Sequence, residues 1–306
     1  MTGFLLSAVL ALVLAGVLVA GVVALPFLGG FLLSRVIGIL APLGLLVWFW
    51  LHGRSRSPGW EHLTGVRYAH RGLHALPHAP ENSLPAFRRA AEAGYGAELD
   101  VRLTADGRLA VVHDGELSRL CDRAGVVEKL TAAELARYRL CGTQEQIPFL
   151  EQVLEIFQDR GPLIVELKTS GNNYAALTKA AVTCLDQFRI DYCLESFDPR
   201  VLVWLRKNRP ELLRGQLTQN FRKHPEGLNL FLRLALTDLL FNVAARPDFV
   251  SCRFEDRKGL AVRLCRQMGV RPVYWTICSA EALRKVEAEG ALAIFERFDP
   301  KEEERT

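Results

Sequence analysis

The chain opens on two long apolar stretches and then changes character. Residues 4–25 carry no charged side chain, a run long enough to cross a hydrocarbon core of about 30 Å. Pro26, Gly29 and Gly30 punctuate the chain, and a second apolar stretch, 31–51, follows, interrupted by Ser34 and Arg35. This pattern predicts an N-terminal transmembrane helical hairpin, a two-span membrane anchor over residues 1–53. The tight turn at 26–30 leaves a re-entrant or lipid-lying hairpin as the alternative. Met1, Thr2 and Gly3 lack the basic start of a cleavable leader. Arg35 is placed to snorkel and Trp48 and Trp50 to sit in an aromatic belt, while Arg54, Arg56 and Arg67 point to the cytoplasmic side. The expectation is a multi-pass membrane protein with its catalytic domain on that side. Ser55, Ser57, Pro58 and Gly59 mark residues 54–65 as a linker.

From residue 66 the period shortens. Short apolar runs predict strands over 66–69, 97–103, 109–113, 163–167, 192–196, 214–218, 249–252, 272–276 and 292–295. Helical patterns fall between them over 83–93, 131–138, 149–157, 174–188, 199–208, 259–268 and 280–289. That is one strand more than an eightfold barrel needs. Residues 104–108 are too few for a parallel crossover of about a dozen, and Asp106-Gly107 is a hairpin signal. A two-residue turn there sets Arg108 opposite Ala105 and His113 opposite Asp100. Setting this arm aside leaves eight parallel strands, so the expected fold is α/β: a (β/α)8 TIM barrel with a β-hairpin elaboration over 66–299. Between the sixth and seventh strands, residues 227–244 form an apolar helical insertion with Arg233 and Asp238 as its charges. It reads either as a buried packing helix or as a lid that dips into a bilayer. Residues 300–306 form a charged tail.

Composition narrows the class. Half of the 306 residues are hydrophobic, a quarter are charged and the net charge is +4, which excludes long disorder. With no basic stripe, no nucleic-acid partner is expected, and no protein partner is predicted. Seven cysteines, an odd number without a C-x-x-C pair, read as reduced, buried thiols rather than a disulfide framework or zinc site.

Polar clusters then fall at predicted strand ends. His70, Arg71 and Gly72 close the first strand, Glu98 and Asp100 share one face of the second, and Glu166 and Lys168 share a face ending the fourth. The hairpin brings His113 and Asp114 beside them. Three carboxylates without a cysteine suit one hard divalent cation, Mg2+ or Ca2+. Two histidines beside it suit general acid and base, and Arg71 and Lys168 suit an anion such as phosphate.

The motifs His70-Arg71-Gly72, Pro80-Glu81-Asn82-Ser83, Glu98-Leu99-Asp100-Val101, Val112-His113-Asp114, Glu166-Leu167-Lys168, Ser196-Phe197 and Tyr274-Trp275-Thr276 resemble, in order, the glycerophosphodiester phosphodiesterase family, over about residues 66–299. The resemblance implies a metal-dependent TIM-barrel enzyme that cleaves glycerophosphodiesters to glycerol 3-phosphate and an alcohol. It implies His70 and His113 as the acid–base pair and Glu98, Asp100 and Glu166 as metal ligands. Arg71 and Lys168 would contact phosphate and Trp275 would wall the glycerol end, with Glu81 fixing its loop or supporting the metal from further out. Two positions depart from the family: Glu296 stands where the last strand commonly ends in Asp, and Cys121 where Thr is frequent. The apolar segments add a lysophospholipase D-like or other phospholipase activity on membrane lipids, with a lysophospholipid as substrate, as a competing reading. A membrane-tethered binding module without turnover is a third.

Overall fold

The computed structural model of the protein describes residues 28–54 and 58–303, with the backbone alone for 28–34. Eight parallel strands close into a barrel: β1 (Tyr68–Ala69), β2 (Gly96–Leu103), then, past the short β3 (Leu109–Val111), β4 (Leu163–Leu167), β5 (Tyr192–Ser196), β6 (Arg214–Thr218), β7 (Phe249–Arg253), β8 (Arg271–Ile277) and β9 (Leu292–Phe295). Closure comes from β1, which pairs with β2 on one side and β9 on the other. Each predicted strand is present, and β3 is the antiparallel arm on β2.

The arm's register differs from the expected one by a residue. Leu103 faces Leu109 and Val101 faces Val111, and the Val112 N–H donates to the Asp100 carbonyl at 2.9 Å. The cause lies in the turn, which has three residues rather than two. Thr104 Oγ1 donates to Asp106 Oδ1 (2.6 Å) and accepts from the Arg108 N–H (2.8 Å), and Gly107 supplies the left-handed third position, φ 83°. His113 is therefore not opposite Asp100; it lies one residue further on, in the loop at the barrel's rim.

Eleven helices are described: α1 (Leu28–Leu51), α2 (Leu84–Glu92), α3 (Ala132–Leu135), α4 (Leu150–Phe157), α5 (Tyr174–Leu185), α6 (Pro199–Asn208), α7 (Leu230–Thr237), α8 (Asn242–Ala245), α9 (Leu260–Gln267), α10 (Ala280–Ala288) and α11 (Pro300–Glu303). Side-chain caps start several of them, with Ser83 accepting from the Ala86 N–H, Asp198 from Arg200 and Ser279 from Ala282. Strand alternation then divides two cores. Ala97, Leu99 and Val101 of β2 face outward and pack with Phe87, Leu154 and Leu177 of the helices, while Glu98 and Asp100 face inward. The floor of the barrel is apolar, built from Tyr68, Ile164, Cys193, Phe249, Val273 and Ile294. Trp60 and Leu63, on a 3-10 turn, plug that floor from below, and the Tyr68 hydroxyl donates to the Leu63 carbonyl at 2.7 Å. The stretch expected as a linker is thus partly core, because its two large apolar side chains fill the narrow end of the barrel.

The segment 227–244 answers to neither expectation alone. It forms α7 and α8 with Ala235, Leu239, Asn242 and Ala245 buried, yet Leu230 and Phe231 are 65% and 67% exposed. The predicted first span, 4–25, lies outside the described residues. The predicted second span coincides with α1, which packs through its C-terminal turns: Leu51 is buried and Val47 lies against the outer core, while Ile39 and Leu43 are 69% and 52% exposed. Among the described residues no helix is long and apolar enough to cross a membrane.

Candidate active site

The carboxyl ends of the parallel strands converge on one mouth, the usual place for chemistry in this architecture. Glu98 and Asp100 of β2 and Glu166 of β4 each turn a carboxylate oxygen to a common point, all within 4.8 Å of one another and all buried. Register brings them together, since Asp100 lies beside Glu166 across the β2–β4 ladder.

Three buried anions are balanced by two cations. Lys168 Nζ lies 2.8 Å from Glu166 and 3.1 Å from Asp100. Arg71 adopts a left-handed backbone (φ 54°), so its own N–H donates to Glu98 (3.1 Å) while its guanidinium pairs with Asp100 (3.3 Å) and donates to Glu81 (2.7 Å). Behind it, Gly72 (φ +79°) leaves room for α2, since a Cβ there would sit 2.8 Å from the Ala86 backbone. One negative charge is left over, and the titration behaviour reflects it. Burial, then repulsion from Asp100 and Glu166, raises Glu98 well above the carboxylate range. Burial pushes Glu166 up to about 7 against the pull of Lys168. Asp100 moves the other way: burial opposes its charge, but Lys168, His113, Arg71 and the Asn82 amide (2.9 Å) outweigh it.

The two histidines are built alike. His70, anchored on the Phe295 carbonyl (2.8 Å), donates through Nδ1 to Glu296 (2.8 Å) and turns Nε2 toward Glu98, 3.8 Å away. His113 donates through Nδ1 to its neighbour Asp114 (2.6 Å). Burial depresses the basicity of both, His113 to about 4 with Lys168 and Arg71 adding to the effect. Each ring is thus neutral near pH 7, fixed at one nitrogen and free at the other.

Several supporting residues escaped the sequence reading. Glu296, a doubtful departure on sequence, orients His70 and also lies 3.8 Å from His74. Arg119 ties the two halves together, bonding Asp114 and, at 2.7 and 3.0 Å, Glu81. Glu81 belongs to this outer network and not to the acidic triad, and the Asn82 amide holds Asp100. Glu195, next to Glu166 across the β4–β5 ladder, is buried beside Ser251 and is raised to about 8 by burial and by Glu166. One of its oxygens has no hydrogen-bond partner among the described residues. An acid alternating with Cys193 inside an apolar strand was the available signal for it.

Beside the mouth opens a cavity of ≈ 850 Å³, lined by His113, Lys168 and Trp275 together with Leu232, Leu236 and Phe241. The Phe197 ring meets the Trp275 ring edge-on at 5.9 Å, and Lys168 lies 5.9 Å above Phe197. Trp275 is thus an aromatic wall of the cavity that Lys168 also lines, and its buried indole N–H has no partner among the described residues.

The chain also matches known proteins. The model of the glycerophosphoryl diester phosphodiesterase family matches residues 70–295. A glycerophosphodiester phosphodiesterase of Bacillus altitudinis is 34% identical over 171 residues, covering 52% of this chain and 69% of that protein. One from Caldanaerobacter subterraneus is 28% identical over 239 residues, covering 74% and 91%. Among solved structures, a phosphodiesterase of Oleispira antarctica in complex with its product sn-glycerol-3-phosphate superposes with a TM-score of 0.64 at 24% identity, covering 78% of this chain and 94% of that one.

Proposed function

This chain belongs to the glycerophosphoryl diester phosphodiesterase family, and on that premise we propose that the mouth cluster is the machinery with which it hydrolyses glycerophosphodiesters to glycerol 3-phosphate and an alcohol. The observation that carries the assignment of residues is the meeting of three buried carboxylates, two partly buried cations and two carboxylate-braced histidines in one mouth.

The donor set fits a divalent cation. Glu98, Asp100 and Glu166 offer hard oxygen ligands to a single point, and burial, with the repulsion among these carboxylates, raises Glu98 and Glu166, a penalty that such an ion would offset. Magnesium or calcium bound there would polarise a phosphoryl oxygen. The chain's own residues do the rest. Arg71 and Lys168, held by the same carboxylates, present their positive charge to the remaining phosphate oxygens. For net hydrolysis by water, Nε2 of one imidazole takes a proton from the attacking water as its oxygen bonds to phosphorus, and Nε2 of the other gives a proton to the alcohol oxygen as its bond to phosphorus breaks. Glu296 and Asp114 hold each ring in place and stabilise it while it is charged. Trp275 and Phe197 wall off the glycerol end from water.

Membrane attachment forms part of the same reading. It is supported by the apolar run at 4–25 and by the exposed apolar side chains of Ile39 and Leu43 on α1 and of Leu230 and Phe231 on α7. Arg54, Arg56 and Arg67, following the second apolar stretch, support a barrel on the cytoplasmic side. The experiment is a panel of glycerophosphodiesters offered to the full chain with Mg2+, Ca2+ or chelator. Metal-dependent release of glycerol 3-phosphate supports the reading, and turnover indifferent to chelator contradicts it.

A further inference from the structure

We infer that Glu195 is a positioning residue of the cation site: together with the Ser251 hydroxyl it holds, through a water, an ion seated on Glu98, Asp100 and Glu166. The inference rests on the phosphodiesterase reading and adds to its cation site a wall built from β5 and β7.

The fold places Glu195 at that site. Alternation along β5 puts Cys193 and Glu195 on one face, and Cys193 belongs to the apolar cluster of the barrel floor. The Glu195 side chain therefore points into the barrel. The β4–β5 ladder sets it in register with Glu166, which itself lies beside Asp100 in the β2–β4 ladder. The next position in the row is Gly215 of β6, whose missing side chain leaves room over the Phe249 ring of β7. Two residues past Phe249, and on the same face, Ser251 stands beside Glu195.

The protein does not satisfy these two side chains. Glu195 is 1% exposed and Ser251 is fully buried, yet Glu195 Oε2 and Ser251 Oγ have no hydrogen-bond partner among the described residues. Lys168 and Arg71 are engaged by Glu166, Asp100 and Glu81. A buried oxygen left without a donor is costly, and in a native protein it calls for a bound water or ion.

Direct ligation is not what the geometry offers. The oxygens of Glu98, Asp100 and Glu166 gather within 4.8 Å of one another, and Glu195 is outside that group. A water between them fits instead. Buried waters take about two to four polar partners, which Glu195, Ser251 and the ion supply. A hard cation such as Mg2+ keeps waters of its own shell, and the groups that hold a metal's shell from outside set its affinity.

The test titrates the full chain with Mg2+ and with Ca2+ by calorimetry at pH 8, comparing the wild type with Glu195→Gln and Ser251→Ala. The urea midpoint of each is read with and without metal. The inference predicts a Kd about 10–100-fold weaker in Glu195→Gln and about two- to tenfold weaker in Ser251→Ala. It also predicts a metal-free midpoint of Glu195→Gln no lower than that of the wild type, since the amide removes a buried carboxylate that nothing pairs. The rise in midpoint on adding metal shrinks as the Kd weakens. A purely structural Glu195 gives the opposite pattern, a lower metal-free midpoint with the Kd unchanged, and that result overturns the inference while the hydrolase reading stands. Should Glu195→Gln not fold, Ser251→Ala decides, and an unchanged Kd there overturns the inference. A wild-type chain that binds neither ion overturns it as well, and glycerophosphocholine turnover by that chain then decides the hydrolase reading separately.

Discussion

Each imidazole in the mouth is braced by a carboxylate at Nδ1 and free at Nε2, and the account stands or falls on that pair. His70→Ala or His113→Ala is expected to lower kcat by about 10²–10⁴-fold in a protein that still folds. Glu296→Gln, which keeps the shape of the brace but not its charge, is expected to cost about 10–100-fold; equal losses in all three variants would place Glu296 on the substrate itself. Metal affinity should depend on pH with a definite sign. The carboxyls of Glu98 and Glu166 are raised, Glu166 to about 7, so below that pH protons hold the oxygens an ion needs. Affinity is expected to fall as pH drops from 8 to 6, by about tenfold per unit for each proton displaced, as titration calorimetry at several pH values would read. Glu98, Asp100, Glu166 and Lys168 could be found from the sequence because strand alternation puts them on one face near strand ends, whereas His70, Arg71 and His113 sit in the loops just past β1 and β3 and were legible as motifs. Glu195 could not be ranked that way, since its role depends on which residue β5 sets beside Glu166, and register is not written in a single strand.

At the scale of elements, apolar periodicity carried the strands well, because every barrel strand is an apolar run bounded by polar turns. The hairpin was legible as a hairpin but not in register. Asp106-Gly107 announces a turn, while its length was decided by the Thr104 hydroxyl, which a pattern of apolar positions does not register. The plug at Trp60 and Leu63 was hidden for a similar reason: two apolar side chains in a polar stretch carry no period. Packing across the β6–β7 ladder gives a direct check. Gly215 lies beside Phe249 in register, and a Cβ there would stand 2.0 Å from the ring. Gly215→Ala should therefore destabilise the fold by about 1–3 kcal/mol, seen as a lower urea midpoint. An unchanged midpoint would mean that the ring has another place to go.

For the whole molecule, the floor and mouth of one barrel divide the work. Apolar side chains close the narrow end and hold the strands, and charged ones gather where the strands open. The division follows from the alternation in β2 and β4, whose floor positions are apolar and whose mouth positions are Glu98, Asp100 and Glu166. Membrane attachment belongs to this scale as well: the full chain is expected to float with phospholipid vesicles in a density gradient, and recovery of all protein at the bottom would contradict it. The central claim is that the mouth cluster breaks a phosphodiester. The most direct measurement follows glycerophosphocholine by ³¹P NMR with the purified full chain and Mg2+ or Ca2+, beside His70→Ala. The account predicts that the diester resonance gives way to that of glycerol 3-phosphate with the wild-type chain and persists with the variant. A diester left intact by the folded wild-type chain, or consumed equally fast by both, would contradict it.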